Sequence, residues 1–419
     1  MPTPTSTPTF PSRLPAVGTT IFSVMSALAT EHGAVNLGQG FPDFACDPAL
    51  LSATERALRA GHNQYAPMPG LLALREAVAQ KIATQHARSY CPQQEITITA
   101  GATQAILTAL LACVQPGDEV IVLDPCYDSY VPNIELAGAT AVRVPLTPGS
   151  FAPDFAKIAA ALTPRTRLLI INTPHNPSAT VWSDAQMRQL QELLAPTNVL
   201  LLSDEVYEHM VFDGQQHQSA ARFAGLAARA FIVSSFGKTY HVTGWKVGTI
   251  AAPAALMAEF RKVHQFNVFS VNTPMQAALA SYMADPAPYL ELPAFYQRKR
   301  DLFLHGLQAT RLKPLPTRGT YFQCVDISGV TDLNEAIGQT VSQNLSAGLI
   351  LRRGLLRQQL IIRSGQKVQL VASDGSFQVG AEGVAMKNGS VGDVIGVRMP
   401  SGRVISGVVS ASGAVEIRF

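Results

Sequence analysis

The chain has 419 residues, of which 47% are hydrophobic and 15% charged, with a formal net charge of +3. That balance fits a globular protein of about two or three domains and excludes a disordered chain. The charge is too small to argue for nucleic acid, and no apolar run reaches the roughly 18 to 20 residues of a membrane span.

The opening MPTPTSTPTFPSR, residues 1–13, lacks a basic stretch followed by an apolar core. It reads as a flexible arm and not as a secretion signal. Five cysteines (Cys46, Cys91, Cys113, Cys126 and Cys324) are scattered without a CxxC pair. Reduced thiols and a cytoplasmic location follow, with no metal site expected.

From there EITITA, DEVIVLD, TAVRVPL, RLLIINTP, NVLLLSDE, AFIVSSF and VGTIAAP read as strands. Helical patterns such as TQAILTALLACV, SDAQMRQLQELLA and NTPMQAALASYMA lie between them. Near-continuous apolar strands separated by crossover helices predict an α/β domain with a mostly parallel central sheet. Ligands of such sheets sit at the carboxyl ends of the strands.

After about Ala336 the rhythm changes to short strand-like pieces: LIIRSG, KVQLVAS, FQVGAEGVA, DVIGVRMP, RVISGVVS and AVEIRF. Ser-Asp-Gly, Lys-Asn-Gly, Pro-Ser-Gly and Ala-Ser-Gly turns separate them, which predicts a small all-β unit of hairpins. Residues 337–419 carry a net charge of +5 against −2 for the rest, and contain no Cys, Trp, Tyr or His. They belong to a different module.

The unusual residues fall at strand ends. Gly101, Ala102 and Thr103 lie between EITITA and a helix, where free amides and the positive helix end favour a phosphate. Tyr127 in DPCYDSY offers a flat ring, though a half-buried core tyrosine is the plainer reading of that residue alone. Asn176 in NTPHNPSAT sits at an Asn-Pro step suited to a turn or a cis bond.

Asp204 ends an apolar strand, where an unpaired charge is costly; with Ser203 it also suits a helix cap. Tyr207 follows three residues on. Ser235, Lys238 and Lys246 share SSFGKTYHVTGWKVG, with Lys238 at a strand end. An amine, a buried anion, an amide-lined anion nest and a stacking ring are together what pyridoxal 5′-phosphate (PLP) requires.

Residues Leu14 to about Asp332 resemble a fold-type I, class I/II aminotransferase of the methionine and kynurenine/glutamine branch. The matching stretches are GTTIFSVMSALA, NLGQGFPDF, NQYAPMPG, TAGATQA, DPCYDSY, NTPHNPSATV, SDEVYEH, SSFGKTYHVTGWKVG, FSVNTPMQ and GTYF. The resemblance implies that Lys238 binds PLP covalently and shuttles the α-proton, Asp204 pairs the pyridinium, and Tyr207 and Asn176 contact the ring oxygen. It implies further that Tyr127 stacks on the ring and that Gly101, Ala102, Thr103, Ser235 and Lys246 hold the phosphate. Tyr65 would reach the phosphate of a neighbouring subunit, which implies a homodimer, and Gly40 and Asn176 would contact the substrate. The reaction implied is a ping-pong transfer of the amino group of methionine, an aromatic or a glutamine-like amino acid to a 2-oxo acid.

In the family a C-terminal segment supplies an arginine for the substrate carboxylate. Here the pattern stops after TDLNEA, so the expected aminotransferase domain, 14–335, has a truncated small domain and impaired activity. Arg363 in LIIRSG only resembles that arginine, since its surroundings belong to the β-rich tail. Residues 337–419 are similar to the C-terminal half of the flagellar P-ring formation protein (FlgA-like), a periplasmic chaperone with a β-clip (SAF-like) domain. A second reading is therefore a non-catalytic fusion whose tail contacts a flagellar component.

Overall fold

In the computed structural model the described residues are 11–328 except 39, 41 and 43, followed by 340–341, 356–357, 360–373, 378–390, 393–410 and 412–417. The chain divides into two compact units, Met1–Asp326 and Ile327–Phe419. Most of the expected arm and the expected junction at 336 lie outside the described residues.

All seven strands expected in the first unit form, as β1 (Ile96–Thr99), β2 (Glu119–Asp124), β3 (Thr140–Pro145), β4 (Thr166–Asn172), β5 (Leu200–Asp204), β6 (Ala230–Ser235) and β7 (Gly248–Ala251). They make one sheet in the order β1-β7-β6-β5-β4-β2-β3. The pairs among β2 to β6 are parallel, whereas β7 runs antiparallel to both β6 and β1.

Alternation along the strands sends neighbouring side chains to opposite faces, and each face has its own core. Ile121, Leu169, Ile171 and Leu201 pack with Leu74 and Val78 of the helix Leu72–His86 and with Met187 and Leu190 of Asp184–Leu194. Val120, Val122, Leu168, Ile170, Leu202 and Val233 pack on the other face. There they meet Ile106 and Leu110 of Ala102–Cys113 and Met257 and Phe260 of Ala254–Asn267. Each such side chain taken out of water contributes about 1.5–3 kcal/mol, so the sheet is a rigid platform for what its strand ends carry. The helix Asp184–Leu194 begins where Ser183 and Gln186 cap each other reciprocally. Among the described residues no helix is long and apolar enough to cross a membrane.

In the second unit the described residues form strands and turns only. Lys367–Ser373, Gln378–Ala385, Val394–Arg398, Val404–Val409 and Val415–Ile417 close a five-stranded barrel around Leu370, Ile395, Val397, Val409 and Val415. The barrel closes through a parallel pairing of its first and last strands. Gly402 and Gly413, in two of the expected turns, adopt φ of +83° and +81°, which the side-chain-free backbone accepts readily.

Candidate active site

A cavity of about 280 Å³ opens at the carboxyl ends of β4, β5 and β6. Gly40, Gly101, Ala102, Thr103, Tyr127, Asn176, Asp204, Tyr207, Ser235, Lys238 and Lys246 all line it. Residues from six separate stretches thus meet around one space. Tyr65 is not among them. It stands 79% exposed, edge-on to Phe269 at 5.2 Å between ring centroids.

One end of the cavity is an anion nest. Gly101 is the N-cap of the helix Ala102–Cys113, has φ +82°, and leaves that helix without a side-chain cap. A Cβ at Gly101 would lie 3.3 Å from the Lys246 Nζ, so the ammonium sits beside the free helix end. Gly248 on β7 lets the strand approach this end, since a Cβ there would be 3.0 Å from the Ala102 nitrogen. Unpaired amides, a helix dipole and a cation converge as an anion requires.

The other pole is Asp204, which is 4% exposed at the end of β5. The Tyr130 hydroxyl donates to its Oδ2 at 2.6 Å, and the Val206 amide donates to Oδ1 at 3.3 Å. Burial pushes the carboxyl up to about 6 even though both donors favour its charged form. The residues after Asp204 form a turn and not a helix, so its cap-like role is limited to that one amide.

Asn172 braces the opposite loop. Its Nδ2 donates to the Asp204 carbonyl at 2.8 Å, and its Oδ1 accepts from the Asn176 amide at 2.6 Å. The Asn176–Pro177 bond is cis. Tyr207 is 3% exposed, and its hydroxyl is driven well above its ordinary range by burial and by Tyr321.

Lys238 lies in the one-turn helix Phe236–Thr239 directly after β6. Its Nζ donates to the Tyr321 hydroxyl at 2.9 Å. Tyr130, Asn172 and Tyr321 had no assigned role in the sequence, although Tyr130 and Tyr321 stand inside the DPCYDSY and GTYF stretches. Tyr130 and Tyr321 meet partners 74 and 83 residues away, and Asn172 meets partners 4 and 32 residues away, so the distant partnerships leave no local spacing signal.

Behind the Asp204–Tyr207 turn lies a second, buried charge cluster. Lys81 and Glu208 pair at 2.6 Å with side chains 9% and 5% exposed, and Ser234 also donates to Glu208. Glu205 accepts from Ser203, from the Ala220 amide and from His217. Burial alone would raise the Glu208 carboxyl, but Lys81 and the neighbouring imidazoles hold it well below its usual range. This cluster anchors the turn that presents Asp204 and Tyr207 to the cavity.

The family model for aminotransferase class I and II matches residues 32–380. The methionine aminotransferase of Escherichia coli (strain K12) is 52% identical over 335 residues, covering 79% of this chain and 86% of that protein. Human kynurenine–oxoglutarate transaminase 1 is 34% identical over 354 residues, covering 78% and 84%. Among solved structures, an E. coli protein identified as having a methionine aminotransferase function superposes with a TM-score of 0.75 at 51% identity, covering 78% of this chain and 86% of that one. With that match, and with the cavity at the strand ends of a mostly parallel sheet, the chain belongs to the class I and II aminotransferases and is a PLP-dependent transferase.

Proposed function

We propose that the cavity holds PLP with its phosphate at Gly101, Ala102, Thr103, Ser235 and Lys246, its ring nitrogen toward Asp204 and its ring oxygen toward Tyr207 and Asn176. Tyr127 offers the stacking face, and Lys238 is the amine that binds the cofactor covalently. The residues fit the group: an uncapped helix end beside a lysine suits a phosphate, and a buried carboxyl with two donors suits a pyridinium. When bound, PLP supplies an electron sink for the carbanion left by the α-proton. The chain's own residues do the rest. Asp204 gains a counter-charge that offsets its burial. The Lys238 Nζ, once free, takes the α-proton and hands it on.

The donor amino acid we infer is methionine, with aromatic and glutamine-like amino acids as neighbours, and the acceptor is a 2-oxo acid. The cavity lining includes Phe22, Val206 and Phe322, which favour an apolar side chain. Gly40 brings its backbone to the cavity beside Phe322; a Cβ there would be 2.7 Å from the Phe322 ring. Among the described residues lining the cavity the cations are Lys238 and Lys246, with no arginine. Among those described residues, Gly40 and Asn176 are the groups we assign to the substrate carboxylate. Arg363 stands exposed in the second unit.

The homodimer proposal rests on Tyr65, which shares its exposed surface with Phe269 (45% exposed). A second copy seated there would take up Tyr65. For the second unit we propose a likeness to the flagellar P-ring formation protein, whose β-clip would correspond to the five-stranded barrel.

The observation that carries the function is the convergence of Lys238, Asp204 and the Gly101 nest on one cavity. Recombinant protein should be yellow with PLP and should transaminate methionine with ping-pong kinetics. Lys238→Ala should abolish both. A colourless parent protein, or a Lys238→Ala variant that still turns over, would refute the assignment.

A further inference from the structure

Tyr321 touches the amine on which the proposed chemistry turns. Its hydroxyl accepts from the Lys238 Nζ at 2.9 Å, and the same Nζ lies 5.6 Å from the Tyr321 ring centroid and 5.7 Å from that of Tyr207. The two rings stand at 87° to each other, 5.4 Å apart, so the amine is held in a corner of two π-faces and one hydroxyl.

The corner is rigid because the backbone before Tyr321 is sewn to the turn after Asp204. The Thr320 amide donates to the Met210 carbonyl at 2.9 Å, and Gly319 bridges Val211. A Cβ at Gly319 would stand 2.6 Å from the Met210 carbonyl, so only glycine permits the approach. On the other side a Cβ at Gly40 would lie 2.8 Å from the Tyr321 ring. Tyr321 therefore has little freedom to leave Lys238.

We propose that Tyr321 is the positioning residue for the Lys238 amine, aiming it while neutral and stabilising it once it has taken a proton. A neutral amine that donates one N–H to a fixed oxygen cannot spin freely, so its lone pair is kept off Tyr321 and confined to the two remaining staggered positions. When the α-proton arrives on Nζ, positive charge develops beside a hydroxyl lone pair and two ring faces already in place. The electron pair of the broken C–H bond stays with the substrate carbon, the proton bonds to Nζ, and Tyr321 keeps its own proton throughout. This rests on reading Lys238 as the cofactor-binding amine.

The test is Tyr321→Phe, which removes one oxygen and keeps the ring. Mixing cofactor-free protein with PLP and following visible absorbance reads capture without any substrate. Borohydride reduction and peptide mapping then read whether the adduct sits on Lys238. The expected result is an unchanged adduct yield on Lys238, with capture several-fold slower. With methionine deuterated at the α-carbon, KM should stay within about twofold, kcat should fall roughly tenfold to a hundredfold, and the isotope effect on kcat should rise as proton transfer becomes limiting. Capture rate and isotope effect both equal to the parent's would overturn the proposal, as would loss of the adduct in the variant. An adduct absent from Lys238 in the parent protein itself would instead defeat the functional reading beneath it.

Discussion

Replacing Asp204 by asparagine should stabilise the cofactor-free protein while disabling it. The folded carboxyl lies near 6 because it is buried, against an ordinary value of 3.8. The folded state thus binds more protons than the unfolded one between those values, and stability falls as pH rises through the window. The cost is fully present above about pH 6: roughly two units, or about 3 kcal/mol at pH 8, and about half that at pH 5. Asparagine carries no charge to desolvate, but its single oxygen cannot serve both Tyr130 and Val206, which gives back about 1 kcal/mol. The net gain is about 2 kcal/mol at pH 8 and under about 1 kcal/mol at pH 5. Both tryptophans, Trp182 and Trp245, lie in the first unit, so urea unfolding followed by their fluorescence reports that unit alone. The same variant should lose roughly a hundredfold or more in kcat, because the pyridinium loses its counter-charge. A variant destabilised at pH 8, or a gap that does not change with pH, would refute the reasoning.

Lys81→Met removes the lysine partner of the buried Glu208 carboxylate, leaving it with Ser234 and the neighbouring imidazoles, and should cost about 3 kcal/mol by the same fluorescence measurement. Adding Glu208→Leu should recover part of it. Since the Glu208 carboxyl is held below its usual value, its stabilising pair is present above about pH 4 and is lost as pH falls further. Gly101→Ala forces a side chain into a φ of +82° beside Lys246, and should weaken PLP binding on the order of tenfold in a calorimetric titration.

The seven strands of the first unit were legible because strands buried on both faces leave near-continuous apolar runs, as in RLLIINTP. The barrel strands were legible from their Gly-bearing turns. Most of the site was legible too, since Gly101, Asn176, Asp204 and Lys238 each stand at a strand end. Two kinds of residue stayed hidden. Tyr130 and Tyr321 act on groups far along the chain, and a tyrosine carries no mark of which carboxylate or amine it will meet. The charges of Asp204-Glu205-Val206-Tyr207-Glu208 were visible, but not that Glu208 and Glu205 turn away from the cavity, Glu208 toward Lys81 on the helix Leu72–His86 and Glu205 toward His217 in the segment before Ser219. The second unit's strands could be read, while the residues lining its core say nothing of what it meets.

The proposed chemistry requires that the Lys238 Nζ be the atom that takes the cofactor. Protein saturated with PLP, reduced with borohydride and digested, should carry the added mass on the peptide containing Lys238 alone, and Asp204→Asn should retain that label at lower affinity. A label spread over surface lysines, or fixed on Lys246, would contradict it.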